Sequence, residues 1–236
     1  LFYQKPTCFF SAYFLKHHRF SDFKVRCGTR NSTTIFNSWR AMYVKSQGNI
    51  NRFIDTIIDE SPRFEVHSIV VQLKTASGKM PQFGDEQFKG QTENEMLADL
   101  VEPIIKAVWL NKDSNDVIGI LSKNEIDIIG DISKRLIFFV KKEFTDMDNW
   151  TDTELFQTVH PFLENTITHC ISYGDVPSMN AGVAPMFQGQ HLNYYDLNQS
   201  GIAPRLNRLK AHLYGTDYWM RVDGDRATVR IEHQYG

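Results

Sequence analysis

His160, Glu164 and His169 are residue types that hold metal ions, two imidazoles and a carboxylate in one short segment. Glu164 lies one helical turn after His160, but the nine-residue gap between the histidines does not place both on one helical face. Polar or capping histidines are the stronger account. A second group joins Arg205, Arg208, Lys210 and His212 to Tyr194, Tyr195 and Tyr214. Cations interleaved with rings can bind single-stranded nucleic acid, with a solvated helix face as the competing account. The chain has no GxxxxGK[ST], GxGxxG, HExxH or GxSxG, which removes the common nucleotide-binding, zincin and α/β-hydrolase readings but not enzymes in general.

A third group is acidic and ends in a lysine: Asp59, Glu65 and then Gln72-Leu-Lys74. The arrangement resembles that of the PD-(D/E)xK nucleases, with Gln72 standing where the second acid is usual. The resemblance implies an enzyme in which carboxylates hold Mg²⁺ and a lysine at the end of the same strand positions water and stabilises charge. Glu65 and Lys74 have opposite parity and so point to opposite faces of a strand. A core strand with a snorkelling lysine at its end competes with the catalytic reading.

The element that must carry this group is Phe64 to Thr75, whose Ile69-Val-Val71 centre suits a strand buried on both faces. Upstream, Cys8 to Leu15 and Phe20 to Cys27 read as strands, and Gly28 to Thr34 as a polar turn. Ile50, Phe53, Ile54, Ile57 and Ile58 have helical spacing. Thr92 opens a helix whose apolar stripe runs from Met96 to Val108, with a kink expected at Pro103. Asp116 to Leu121 is a short strand, and residues 126–144 fit either a helix or a strand pair. Thr151 caps a helix reaching Ile171, interrupted at Pro161, and Gly174 to Gly201 has loop composition. The strongest local signal is Asp223-Gly224 between Tyr218–Val222 and Asp225–Tyr235, a type I′ hairpin.

The order Ser38-Trp39, Tyr43, Asn51-Arg-Phe-Ile54 and Phe64 to Lys74 resembles the early part of parvovirus and densovirus capsid proteins. Gly182-Val-Ala-Pro-Met186, then Tyr218-Trp-Met220 and a last strand through His233, resembles their close. The resemblance implies an eight-stranded antiparallel sandwich whose loops join copies of the chain into a closed shell around packaged nucleic acid, located in the virion. The helical reading of 92–110 and 151–172 is heavier than a pure jelly roll expects.

A length of 236 residues with 42% hydrophobic content is enough for one sizeable core. A formal net charge of −2 argues against a broad polyanion-binding surface, though not a local basic patch. Cys8, Cys27 and Cys170 make neither a disulfide framework nor a zinc site. No apolar run approaches a membrane span, and Thr7 to Leu15 lacks the cleavage site of a signal peptide. A start at Leu1 is expected of a processed product or fragment. The expectation is one β-rich domain over 1–236, a jelly-roll-like antiparallel sandwich with helical insertions, or else α+β. Its function is that of a self-assembling capsid subunit with no catalytic residue and no cofactor. A Mg²⁺-dependent nuclease using Asp59, Glu65, Gln72 and Lys74 is the alternative, and an interaction module of a larger complex the third. Outside a virion the chain is expected to be an intracellular soluble protein.

Overall fold

The computed structural model describes residues 30–74, 93–126, 132–142, 153–174, 193–219 and 229–234. The strands expected at 8–15 and 20–27, and the Asp223-Gly224 turn, lie outside the described residues. Helix α1 (Arg30–Glu60) leads into β1 (Arg63–Leu73), followed by α2 (Glu93–Leu110) and the short α3 (Lys112–Asn115). A hairpin of β2 (Val117–Ile126) and β3 (Ile132–Lys141) comes next, then α4 (Glu154–Val159) and a 3₁₀ turn, His160–Phe162. Strands β4 (Glu164–Asn165), β5 (His169–Gly174) and β6 (Tyr194–Asp196), helix α5 (Ile202–Trp219) and β7 (Val229–Gln234) complete the order.

The strands form one seven-stranded sheet in the order β4-β5-β1-β3-β2-β7, and every pairing is antiparallel. One edge of β1 is shared: β6 pairs with Arg63 to Glu65, and β5 with Ser68 to Leu73. Side chains alternate across a strand, so Ile69, Val71 and Leu73 face one way with Leu136 and Phe138 of β3. That face packs on Met96, Leu97, Val101, Ile104 and Val108 of α2 and on Leu155 and Val159 of α4. Phe64, Val66, Ile137 and Phe139 face the other way, against Ile50, Phe53, Ile54 and Ile57 of α1 and Leu209 and Leu213 of α5.

The result is an α+β fold with helices on both faces of an antiparallel sheet. A jelly roll places a second sheet on the first. Among the described residues that place is taken by α1 and α5 on one side and by α2 and α4 on the other. Close approach of α1 requires Gly119: a Cβ there would lie 2.6 Å from both Ile57 Cδ1 and Phe53 Cζ. On the α1 face a part-buried ion cluster continues the core. Arg135 grips Glu125 through two 3.0 Å hydrogen bonds and donates a third, 3.2 Å long, to Ser68 Oγ. Lys123 Nζ lies 3.7 Å from the same carboxylate, and its side chain is 1% exposed.

Several expectations change. From Arg30 on, helix replaces the polar turn expected at Gly28 to Thr34, and the helix expected at Ile50 to Ile58 is the inner part of this longer one, buried on the predicted Ile-Phe face. Residues 126–144 contain the return strand of a hairpin. The helix expected to reach Ile171 ends at Val159, and the chain turns through Pro161 into β4 and β5. Tyr218 and Trp219 close α5 rather than opening a hairpin, and β7 pairs with β2. Pro103 sits inside α2 with its side chain exposed, where the carbonyl of Asp99 forgoes its helical donor.

Candidate functional site

The alternative nuclease group is not brought together. Asp59 is exposed in the last turn of α1, and Glu65 is half-buried near the start of β1. Gln72 is exposed at the far end of the strand. At about 3.3 Å per residue, Glu65 and Gln72 lie roughly 23 Å apart, too far to share an ion. Lys74 donates instead to Asn165 Oδ1 and the Thr166 carbonyl, binding the end of β1 to β4. The metal group from the sequence also separates. His169 Nε2 meets Glu164 Oε1 at 2.6 Å, while His160 stacks on Phe156. His169 Nδ1 faces the hydroxyls of Thr168 (3.0 Å) and Thr166 (3.2 Å), so the pair secures the β4–β5 turn.

The basic and aromatic group splits in the same way. Tyr194 and Tyr195 are 5% and 1% exposed, so their rings are core rather than a stacking surface. Burial raises the Tyr194 phenol, with Asp196 adding to the rise. Tyr195 lies flat on Phe64 at 5.1 Å, with Arg205 over it at 4.9 Å. Lys210 pairs with Asp55 of α1 at 3.1 Å.

What the fold does assemble is a polar patch at the start of β1, on the face that α2 covers further along. Arg63, Glu65 and His67 alternate with the buried Phe64 and Val66 and so point to one side. His67 Nε2 donates to Glu65 Oε2 at 3.0 Å, and the Asn193 amide donates to His67 Nδ1 at 3.3 Å. The two contacts agree on a tautomer with its proton on Nε2. Arg63 Nε lies 3.3 Å from Asp196 Oδ2 on β6. On the other flank Glu65 is in register with Val140, and the ladder runs on until the Lys142 N–H reaches the Arg63 carbonyl (3.2 Å). Lys142 therefore stands opposite Arg63, and its side chain falls on the same face as Glu65. The side chains of His67 and Glu65 are 11% and 14% exposed, held in place yet open to solvent.

Only Glu65 of this patch was singled out in the sequence. The Arg-x-Glu-x-His alternation of β1 was the available signal. Lys142, Asp196 and Asn193 come from other strands and loops, and only the register joins them to it. Among the described residues no three His, Cys, Asp or Glu side chains are placed to hold a metal ion. Glu65 is engaged by His67 and Asp196 by Arg63, so the patch does not fit the Mg²⁺ that the nuclease resemblance implies.

Beside the patch stands a stack of rings. Phe156 lies between Tyr173 (5.3 Å, 16° between planes) and His160 (4.9 Å, 18°). Burial pushes the Tyr173 phenol up to about 12. The unfolded chain loses that proton near 10, so the stability tied to it is whole below pH 10 and is lost as pH rises through about 12. Tyr173→Phe should therefore flatten the alkaline limb of a stability-versus-pH curve in that window, read by urea denaturation at each pH.

The comparisons give no relative. No protein-family model, curated protein or solved structure matches the chain. No described helix is long and apolar enough to cross a membrane.

Proposed function

We propose that the chain is a phosphodiesterase acting on nucleic acid at the start of β1. The observation that carries the reading is the His67–Glu65 pair standing on the same sheet face as two cations, Arg63 and Lys142. An imidazole held by a carboxylate is the usual form of a general base. The proton would be taken up at His67 Nδ1, where the 3.3 Å Asn193 contact is long enough for a water or hydroxyl to displace it. The oxygen that gives up this proton forms the new bond to phosphorus as the P–O bond to the leaving oxygen breaks. The leaving oxygen takes its proton from solvent, and the imidazolium, held by Glu65 at 3.0 Å, later releases its own to solvent. Arg63 and Lys142 supply the positive charge that a phosphodiester needs as charge develops on its oxygens. Asp196 holds Arg63 in that position. This keeps the nuclease alternative and Glu65, but replaces Lys74 with Lys142 and assigns no step to a metal.

The capsid reading asked for facing sheets. Among the described residues helices occupy both faces, so its jelly roll has no counterpart in the geometry. It remains a measurable outcome: a uniform megadalton particle in light scattering would favour the shell over the enzyme.

The test is incubation of the purified protein with labelled single-stranded and duplex DNA and RNA, with EDTA and with Mg²⁺. Cleavage that persists in EDTA and falls about 10²- to 10³-fold in Lys142→Ala is the expected result. Cleavage that vanishes in EDTA overturns the histidine mechanism. No cleavage of any of the four substrates overturns the reading.

A further inference from the structure

The stack of Tyr173, Phe156 and His160 has two unlike ends. Tyr173 belongs to β5, opposite Ile69 of β1, and packs against the α2-side core. Its face of the sheet is that of His67, which precedes Ile69 by one same-face position. His160, four residues after Phe156, is exposed. The inner end is therefore anchored beside the candidate active site, and the outer end presents an aromatic ring to solvent. Parallel rings at these separations extend readily by one more flat ring. Every nucleobase has such a face, but only in a single strand is it open, because a duplex keeps its bases stacked on each other.

We propose that His160, backed by Phe156 and Tyr173, is a base-stacking platform that makes the site selective for single-stranded nucleic acid. The proposal rests on the phosphodiesterase reading for its phosphate contacts. Arg63 and Lys142 take the backbone on the same face, some way along β1 from the stack. The combination of cations tracking the backbone and rings receiving bases is the general form of a single-strand site. It also replaces the grouping expected at Tyr194 and Tyr195, whose rings are in the core. His160 is a binding residue here and takes no part in the proton transfer.

The experiment is fluorescence anisotropy of a labelled oligo(dT) and of a duplex of the same length, at fixed low salt, with the full chain. It reads binding alone and does not depend on cleavage. The wild-type protein should prefer the single strand. His160→Ala should lower single-strand affinity about 5- to 150-fold and leave duplex affinity unchanged, the span of one base–aromatic contact. His160→Trp should restore or exceed it, which a purely structural loss would not allow. Equal losses for both oligonucleotides, or no rescue by tryptophan, would overturn the platform while leaving the phosphodiesterase reading intact. Cleavage without any strand preference would do the same. Absence of both binding and cleavage would remove the two together.

Discussion

His67→Gln should lower the rate of phosphodiester cleavage by about 10²- to 10⁴-fold while leaving the fold intact. Glutamine is a fair replacement in shape and hydrogen bonding. Its amide can donate to Glu65 and accept from Asn193 as the imidazole does, so the half-buried patch is not left with a polar group stripped of its partner. What it lacks is a basic nitrogen. The comparison with Glu65→Gln is informative, because that change keeps the base and removes only the carboxylate that stabilises its protonated form. A smaller loss, concentrated in kcat with KM unchanged, is expected there. Steady-state cleavage of a single-stranded substrate measures both, and thermal melting of each variant confirms folding. A His67→Gln enzyme with wild-type rate would assign the imidazole a structural role.

The second large effect concerns stability. Glu125→Ala should destabilise the protein by about 1–3 kcal/mol, less than the loss of a partner from a fully buried ion group because the carboxylate is 22% exposed. Arg135 holds both oxygens of that carboxylate at 3.0 Å, and Lys123 lies 3.7 Å away with its side chain 1% exposed. Alanine removes the carboxylate that both cations face at the edge of the α1-side core. Glu125→Gln keeps an acceptor for the guanidinium and should cost less. Replacing Lys123, Glu125 and Arg135 together with apolar residues of similar size should recover most of the loss, since the penalty belongs to the unpaired charge. Urea denaturation of the variants tests both statements. A single-variant loss under about 1 kcal/mol would mean that water reaches the cluster freely.

The parts of the fold legible in the sequence are those whose local period matches their burial. The strand at Phe64 to Thr75 was read from its β-branched centre and recurs as Arg63–Leu73. Ile50, Phe53, Ile54 and Ile57 showed a helical stripe that is buried against the sheet. Leu136 to Val140 could not be resolved because β3 is central and covered on both faces, which erases alternation. Between Thr151 and Ile171 the apolar positions also fit a helix, yet Ile171 pairs with Val71 in the sheet. Tertiary pairing overrode the local pattern. At the end of α5, packing of Leu209 and Leu213 against α1 carries the helix through residues that alone suggest a strand. The candidate site was the least legible part. Glu65 was noted without Arg63 and His67, which flank it on the same strand face and whose alternation was open to reading. Lys142, Asp196 and Asn193 join them only through register, a long-range property that no local spacing reveals.

The divided edge of β1 bears on how the molecule opens. The Val66 amide is satisfied by the Asn193 carbonyl on the β6 side, whereas the Lys74 amide is satisfied by Thr168 at the β5 end. One strand thus has two independent locks on the same side. The lock near the site is short, three register pairs with Tyr195 lying on Phe64. The far lock is a ladder of six register pairs. Unzipping of the short lock would carry Asn193 and Asp196 away from His67 and Arg63 while the far ladder stays closed. Opening of that kind would separate the proton-accepting and phosphate-facing groups at the cost of exposing Tyr194 and Tyr195, which the fold buries.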